Sequence, residues 1–364
     1  MLQKFKRRFY KYFTLLKPTI TVGIFFAVTI LLLKLLFPLY LFAKANGATP
    51  QFFSSLLFNT EPPIEKHEGR TNIVILGIGG GLHEGADLTD SVIFLSIDFL
   101  KHDSIMVSLP RDLWMPDLKD RLNTAYHYGE EKKKGGGLIM AKAEVENIIG
   151  LPVHYGWIID FSGFIKIIDL VGGIDILVEK AFVDKSYPLE DKENDFCNGD
   201  PTFACRYEVV KFDYGWQHMD GNTALKYVRS RYAEGEEGTD FARNRRQQQV
   251  IIALKDRLLA SSVWKNPEKL RQLFYSFDNA TDTDMNLSEQ ALFFKYFLNL
   301  TDNKIRKIVL DTGDEKKGIN GFLINPPEWQ YKGAWVLIPR TGDFEEIKKY
   351  ISCQVEDPNC PIKP

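Results

Sequence analysis

The chain has 364 residues, 45% of them hydrophobic and 26% charged, with 27 Gly, 17 Pro and 4 Cys. This composition excludes disordered, collagen-like and disulfide-scaffold classes and suits one large domain or two with ample core. Residues 1–44 hold eight Lys/Arg and no acid, leaving 38 basic against 48 acidic residues beyond them, a balance of −10. A chain so balanced lacks the basic footprint of a nucleic-acid binder, so no nucleic-acid partner is expected.

Lys4, Lys6, Arg7, Arg8, Lys11 and Lys17 precede an apolar run from Thr19 to Ala43 that only Lys34 interrupts. The run is as long as a bilayer-spanning helix requires, and its basic flank places the N-terminus in the cytoplasm. Lys34 lies past the middle, where its side chain can snorkel. Ala43-Lys44-Ala45 resembles a signal-peptide cleavage site, but the apolar region is too long for one. The reading is a basic tail at 1–18, a transmembrane helix at 19–43 and an extracytoplasmic linker at 44–70, in which FFSSLLF (52–58) suits a helix on the membrane surface.

Beyond the linker, NIVILGI (72–78), SVIFLSI (91–97) and SIMVSL (104–109) are short, β-branched and nearly continuous in hydrophobicity, as buried strands are. Residues 138–150 carry helical periodicity, 153–160 read as a strand, and 161–173 read as a helix capped near Asp160 or Ser162 and ended by Gly172-Gly173. ALKYVRSRY (224–232) is ambiguous between helix and strand, and Thr239-Asp240 caps a long helix over 241–261. Helices at 267–277 and 288–299 and strands at 305–310 and 334–338 follow. Strands alternating with helices predict an α/β fold, a three-layer α/β/α sandwich with a mixed central sheet. Cys197/Cys205 and Cys353/Cys360 each bracket a short polar loop without metal-ligand spacing, which predicts two local disulfides in an oxidising compartment.

The arginines are the unusual feature. Arg111 sits where the chain leaves a buried strand, Arg229 and Arg231 are two apart, and Arg243, Arg246 and Gln247 fall at i, i+3 and i+4 near the N-terminal end of the long helix. Guanidinium groups bind phosphate oxygens bidentately and keep their charge. Two readings are open on spacing alone: a phosphate or pyrophosphate pocket, or solvated helix charges paired with Glu234, Glu236, Glu237 and Asp240.

Three ordered blocks make the sequence recognisable: SVIFLSID…SIMVSLPRDLWMPD…RLNTAYHYG with Asp90, Arg111 and Asp112; VHYGWIIDFSGFIKIIDLVGGIDILV; and GWQHMDGNTALKYVRSRY…TDFARNRRQQQVI. Over about 71–259 the chain resembles the LytR–CpsA–Psr family of envelope glycopolymer transferases. The resemblance implies a catalytic domain at 71–260, with residues 261–364 as an extension packed on it. It implies transfer of a glycosyl phosphate from a polyprenyl-pyrophosphate carrier to peptidoglycan or another cell-wall acceptor, assisted by Mg²⁺, with the lipid in an apolar tunnel. On that basis Arg111, Arg229, Arg231, Arg243 and Arg246 address the pyrophosphate. Asp240 orients them, Gln247 hydrogen-bonds an oxygen, and Asp90 holds the metal.

The chain departs from the family pattern where an Asp is usual after the first strand: that position is Gly79, in GIGGGLHEG. Asp87 and Glu84 are the candidates to replace the lost carboxylate, and Gly79 and Gly80 are either a turn or backbone amides that cradle phosphate. Two rival functions remain open on the sequence: a polyprenyl-pyrophosphate hydrolase, and a non-catalytic lipid- or glycan-binding envelope protein.

Overall fold

The computed structural model describes Lys34, Leu41, Lys44, residues 49–58, 63–80, 85–189, Lys192, and residues 194–260, 267–314 and 318–362. Apart from Lys34 and Leu41, the predicted span at 19–43 lies outside the described residues, as do Glu84 and the tail 1–18. Among the described residues no helix is long and apolar enough to cross a membrane. The chain divides into two units, one formed by residues up to Pro63 with Asn286–Leu292, the other by Ile64–Met285 with Phe293–Pro364. The first holds helix α1 (Pro50–Phe58), begun by Thr49 Oγ1 accepting from the Phe52 amide at 3.1 Å.

The second unit is built on strands β1 (Arg70–Ile78), β2 (Thr89–Asp98), β3 (Asp103–Leu109), the short pair β4 (Trp114–Met115) and β5 (Asp120–Arg121), β6 (Tyr155–Asp160), β7 (Ile174–Val178), β8 (Phe182–Pro188), β9 (Tyr207–Phe212), β10 (Gly215–Met219), β11 (Thr281–Thr283) and β12 (Ile305–Val309). Its helices are α2 (Ala125–Lys132), α3 (Gly137–Ile149), α4 (Phe161–Leu170), α5 (Gly221–Arg229), α6 (Asp240–Ala260), α7 (Pro267–Ala280), α8 (Leu287–Asn299, begun in the first unit) and α9 (Glu345–Glu356). The central sheet runs β11-β6-β1-β2-β3-β12. β1 pairs parallel with β6 and antiparallel with β2, while β3 pairs antiparallel with β2 and parallel with β12, so the sheet is mixed.

The continuous apolar runs of β1–β3 follow from burial on both faces. Val74, Leu76, Phe94 and Val107 pack under α3 and α9 through Val145, Ile148, Ile347 and Ile351. The alternate residues, Ile75 with Trp157 and Ile159 of β6, face α4 and α6. Both predicted disulfides form, Cys197–Cys205 and Cys353–Cys360.

The differences from expectation have local causes. Residues 224–232 divide: Asp220 caps α5 by accepting from the Thr223 amide at 2.7 Å, and the helix ends at Arg229. The next residues are drawn out because the buried Asp184 carboxylate accepts from the amides of Arg231 (3.0 Å) and Tyr232 (3.2 Å). Of the predicted strand 334–338, Leu337 forms a single parallel bridge with Leu113, and Ile338 pairs, together with Pro339, against Leu323–Ile324, both outside the central sheet. β11, which extends the other edge, has too short and polar a sequence to announce itself.

Candidate functional site

The site is built where β3 ends, where α6 begins, and between them. After Pro110 the chain turns, and Arg111 directs Nη1 to Asp90 of β2 and Nε to Asp112 Oδ2 at 3.4 Å. Asp112, with only 4% of its side chain exposed, also accepts from Arg121 Nη1 at 3.1 Å. At the start of α6, Asp240 Oδ1 accepts from Arg231 Nε at 3.1 Å and Arg243 Nη1 at 3.0 Å. Four guanidinium groups, Arg111, Arg121, Arg231 and Arg243, thus meet three carboxylates, Asp90, Asp112 and Asp240.

Titration reflects this balance. Burial works against the charge of Arg111, but Asp90, Asp112 and Asp240 together outweigh it and raise its pKa. Burial would lift Asp240, yet Arg243, Arg231 and Arg111 outweigh that and hold it below the usual carboxylate range. Arg243 goes the other way: burial, aided by the charges of Arg111 and Arg231, pulls it down to about 10 despite Asp240. It is 2% exposed, and its Nε and Nη2 have no hydrogen-bond partner. Buried donors without acceptors are costly, and an anion supplies what they lack. The amides of Gln247 (Oε1) and Asn244 (Nδ2) are likewise buried and unpaired.

Because Asp240 has a lower pKa when folded, its contribution to stability is complete above the ordinary carboxylate value of about 4 and drains away as pH falls through the folded value. Asp240→Asn should therefore be less stable than the parent at pH 7 in urea titrations, with the difference closing toward pH 3. A difference independent of pH would contradict this assignment.

The other predicted residues are placed differently. Arg246 is 2% exposed and turned inward: Nε donates to Tyr227 O (2.8 Å), Nη2 to Ser230 O (2.5 Å) and Nη1 to Glu237 O and Oε2 (3.0 and 2.9 Å). It ties α5 to α6 and offers no comparable unpaired buried N–H. The Arg229 guanidinium lies over the Phe161 ring, 4.3 Å from its centroid. The Gly80 amide donates to Ala86 O at 2.8 Å, closing the loop, and its φ of +69° suits glycine. This amide is thus committed within the loop, which leaves Gly79 alone of the pair for a phosphate cradle.

The two expected metal ligands among the described residues each have a protein partner. Asp87 accepts from His127 Nδ1–H at 2.7 Å, a bond that raises the His127 pKa, whereas Asp90 is engaged by Arg111. Among the described residues the one group of three potential ligands is Asp195, Cys197 and Cys205, and its sulfurs are joined to each other. Asp90, with 31% of its side chain exposed, can still offer one oxygen, which fits Mg²⁺ held mainly by substrate phosphates and water. Sequence reasoning missed Arg121 and Asn244 as site members. The signal for Asn244 was its adjacency to Arg243; that for Arg121 emerges only from the β4–β5 pairing.

Beside the arginines lies an apolar cavity of about 110 Å³, lined by Ile75, Trp157, Phe164, Ile251, Leu254 and Phe293 among others. Helix α6 connects the two. Arg243, Gln247, Ile251, Leu254 and Leu258 lie at steps of 4, 4, 3 and 4, within one stripe of its surface. Arg243 and Ile251 are thus about 12 Å apart along the axis at ~1.5 Å per residue. At its wall the Lys255 ammonium is satisfied by Leu300 O (2.8 Å) and Asp302 Oδ1 (2.6 Å), whereas the buried Trp157 Nε1–H has no hydrogen-bond partner.

A model of the LytR_cpsA_psr family matches residues 45–334. The chain is 27% identical over 246 residues to a polyisoprenyl-teichoic acid–peptidoglycan teichoic acid transferase, TagV of Bacillus subtilis. That match takes in 66% of this chain and 56% of the relative, so the chain spans little more than half of that protein. It is also 27% identical to TagU of Oceanobacillus iheyensis, across 72% of this chain and 74% of that one. The crystal structure of B. subtilis TagV superposes with a TM-score of 0.55 at 24% identity, covering 80% of this chain and 99% of that one.

Proposed function

Because the chain belongs to the LytR_cpsA_psr family, we propose that it is a membrane-anchored glycopolymer phosphotransferase working outside the cytoplasm. In this reading residues 19–43 span the membrane with the N-terminus inside. The donor is a glycan on a polyprenyl-pyrophosphate carrier and the acceptor is a hydroxyl of peptidoglycan or another cell-wall polymer. The acceptor oxygen bonds to the sugar-linked phosphorus, the anhydride bond to the lipid phosphate breaks, polyprenyl phosphate leaves and the hydroxyl proton passes to solvent.

One observation carries the reading: a single face of α6 presents the unpaired N–H groups of Arg243 and then continues into an apolar cavity. A ligand matching that face has an anionic head and an apolar tail. Arg243, Arg111 and Arg231 would take the pyrophosphate oxygens and the charge that develops on the leaving phosphate. Asp240 fixes the directions of Arg231 and Arg243. Asp90 would hold Mg²⁺ together with substrate oxygens, and the ion would neutralise phosphate charge.

An apolar cavity of about 150 Å³ holds a benzene. The volume here therefore suits about one isoprene unit, and a longer tail requires the aromatic walls to part. Ile251→Trp, which fills the cavity from α6, should weaken binding of a long-chain donor about tenfold or more while leaving a short, water-soluble pyrophosphate analogue unaffected. Calorimetric titration of both ligands tests this. Equal weakening, or none, would count against the cavity as the tail site.

A further inference from the structure

We propose that the aromatic turn at residues 328–335, together with Trp114, is the sugar-binding flank of the site and stacks on the pyranose rings next to the pyrophosphate. This rests on reading Arg111, Arg231 and Arg243 as the pyrophosphate site. Bonds from the Gly333 amide to Glu328 O (2.9 Å) and from the Ala334 amide to Tyr331 O (3.0 Å) fold the turn, bringing Trp329, Tyr331 and Trp335 within seven residues. Trp329 is 79% exposed and Trp335 43%. Single exposed apolar residues are ordinary, but large aromatics grouped beside a polar cluster point to a ligand.

The turn is fastened to the arginine cluster. The Trp114 amide donates to Leu337 O at 2.8 Å, and the Leu337 amide donates to Asp112 O at 3.0 Å. The Tyr331 ring meets Trp114 edge-on, with centroids 4.9 Å apart. Trp114 pairs across β4–β5 with Arg121, which shares the Asp112 carboxylate with Arg111.

Its position also matches the order of groups in the donor. The apolar cavity lies against β6 and β1, through Trp157, Ile159 and Ile75. Arg111 follows β3, two strands along the order β6-β1-β2-β3 and so about 10 Å from β1. The aromatic turn is tied to the chain beyond Arg111, past the end of β3. The turn's anchors Leu113 and Leu337 belong to the cluster under α3 and α9, on the sheet face opposite the cavity. Arg111 lies at the end of β3, two residues before Leu113, as the pyrophosphate lies between tail and sugar. The C–H face of a pyranose is apolar and slightly electropositive and suits the negative face of an aromatic ring. Exposed Glu328, Gln330 and Lys332 in the same turn supply partners for its hydroxyls.

The test uses the full chain in detergent, the parent beside Trp329→Ala/Trp335→Ala, and calorimetry with three probes: polyprenyl pyrophosphate, the same lipid carrying one N-acetylhexosamine, and a free N-acetylhexosamine disaccharide. The parent should bind the sugar-bearing lipid about tenfold more tightly than the bare one. The double variant should lose that preference and the weak disaccharide binding, with bare-lipid affinity unchanged. A variant that keeps the preference, or weakens both lipids equally, would overturn the proposal. So would tryptophan quenching by brominated lipid in reconstituted vesicles that vanishes in the variant while sugar preference persists, since the turn would then be a membrane contact. If the parent binds neither lipid, the pyrophosphate reading fails alone, and the disaccharide still decides the flank.

Discussion

Arg243→Met lowers polyprenyl phosphate release from a lipid-pyrophosphate donor by about 10²–10³-fold, the loss typical of removing one preorganised donor to developing charge, and leaves the protein about as stable as the parent. Ordinarily, removing a buried arginine leaves its partner carboxylate uncompensated and destabilises by about 3–5 kcal/mol. Here the carboxylate is Asp240, which keeps Arg231 at 3.1 Å and the charge of Arg111. What disappears is a guanidinium whose Nε and Nη2 find no acceptor and whose pKa burial has pulled down to about 10. A charge held at such cost serves a ligand rather than the fold. Thermal melts beside donor turnover separate the two: a melting temperature that collapses along with activity would make Arg243 a structural residue.

Arg246→Met, three positions along the same helix, does the opposite. It strands the carbonyls of Tyr227, Ser230 and Glu237 and the Glu237 carboxylate, and removes a cation packed over Phe182 at 4.7 Å. Burial lowers the Arg246 pKa, with Glu237 opposing, and loss of such a pair costs about 3–5 kcal/mol. Chemical denaturation should find that loss. Residual activity of the folded fraction should stay near the parent's per molecule, since this guanidinium is already engaged by four protein acceptors. An unchanged denaturation midpoint would refute the assignment.

The contrast between these arginines explains what could be read from the sequence. Spacing of i and i+3 places Arg243 and Arg246 on neighbouring surface, but helical geometry sets Arg246 about 60° to one side of Arg243 and Gln247 about 40° to the other, at ~100° per residue. Which side meets the cavity depends on where Ile251, Leu254 and Leu258 lie, and those continue on the Gln247 side. The strands were legible because burial on both faces leaves uninterrupted β-branched runs, as in NIVILGI. The split at Arg229 was not, because it depends on Asp184, 47 residues upstream of Arg231. For the same reason the pairing of Asp87 with His127, and of Trp114 with Tyr331, could not be foreseen: each joins segments far apart in the chain.

The most direct test of phosphotransfer is to incubate the full-length protein in detergent with a polyprenyl-pyrophosphate oligosaccharide, Mg²⁺ and purified peptidoglycan, and to follow released polyprenyl phosphate and polymer-bound glycan phosphate together. The account predicts that the two appear in equal amounts, that both fall when Mg²⁺ is chelated, and that both nearly vanish in Arg243→Met. Tight donor binding without release under any metal condition, or release with no phosphate joined to peptidoglycan, would contradict it.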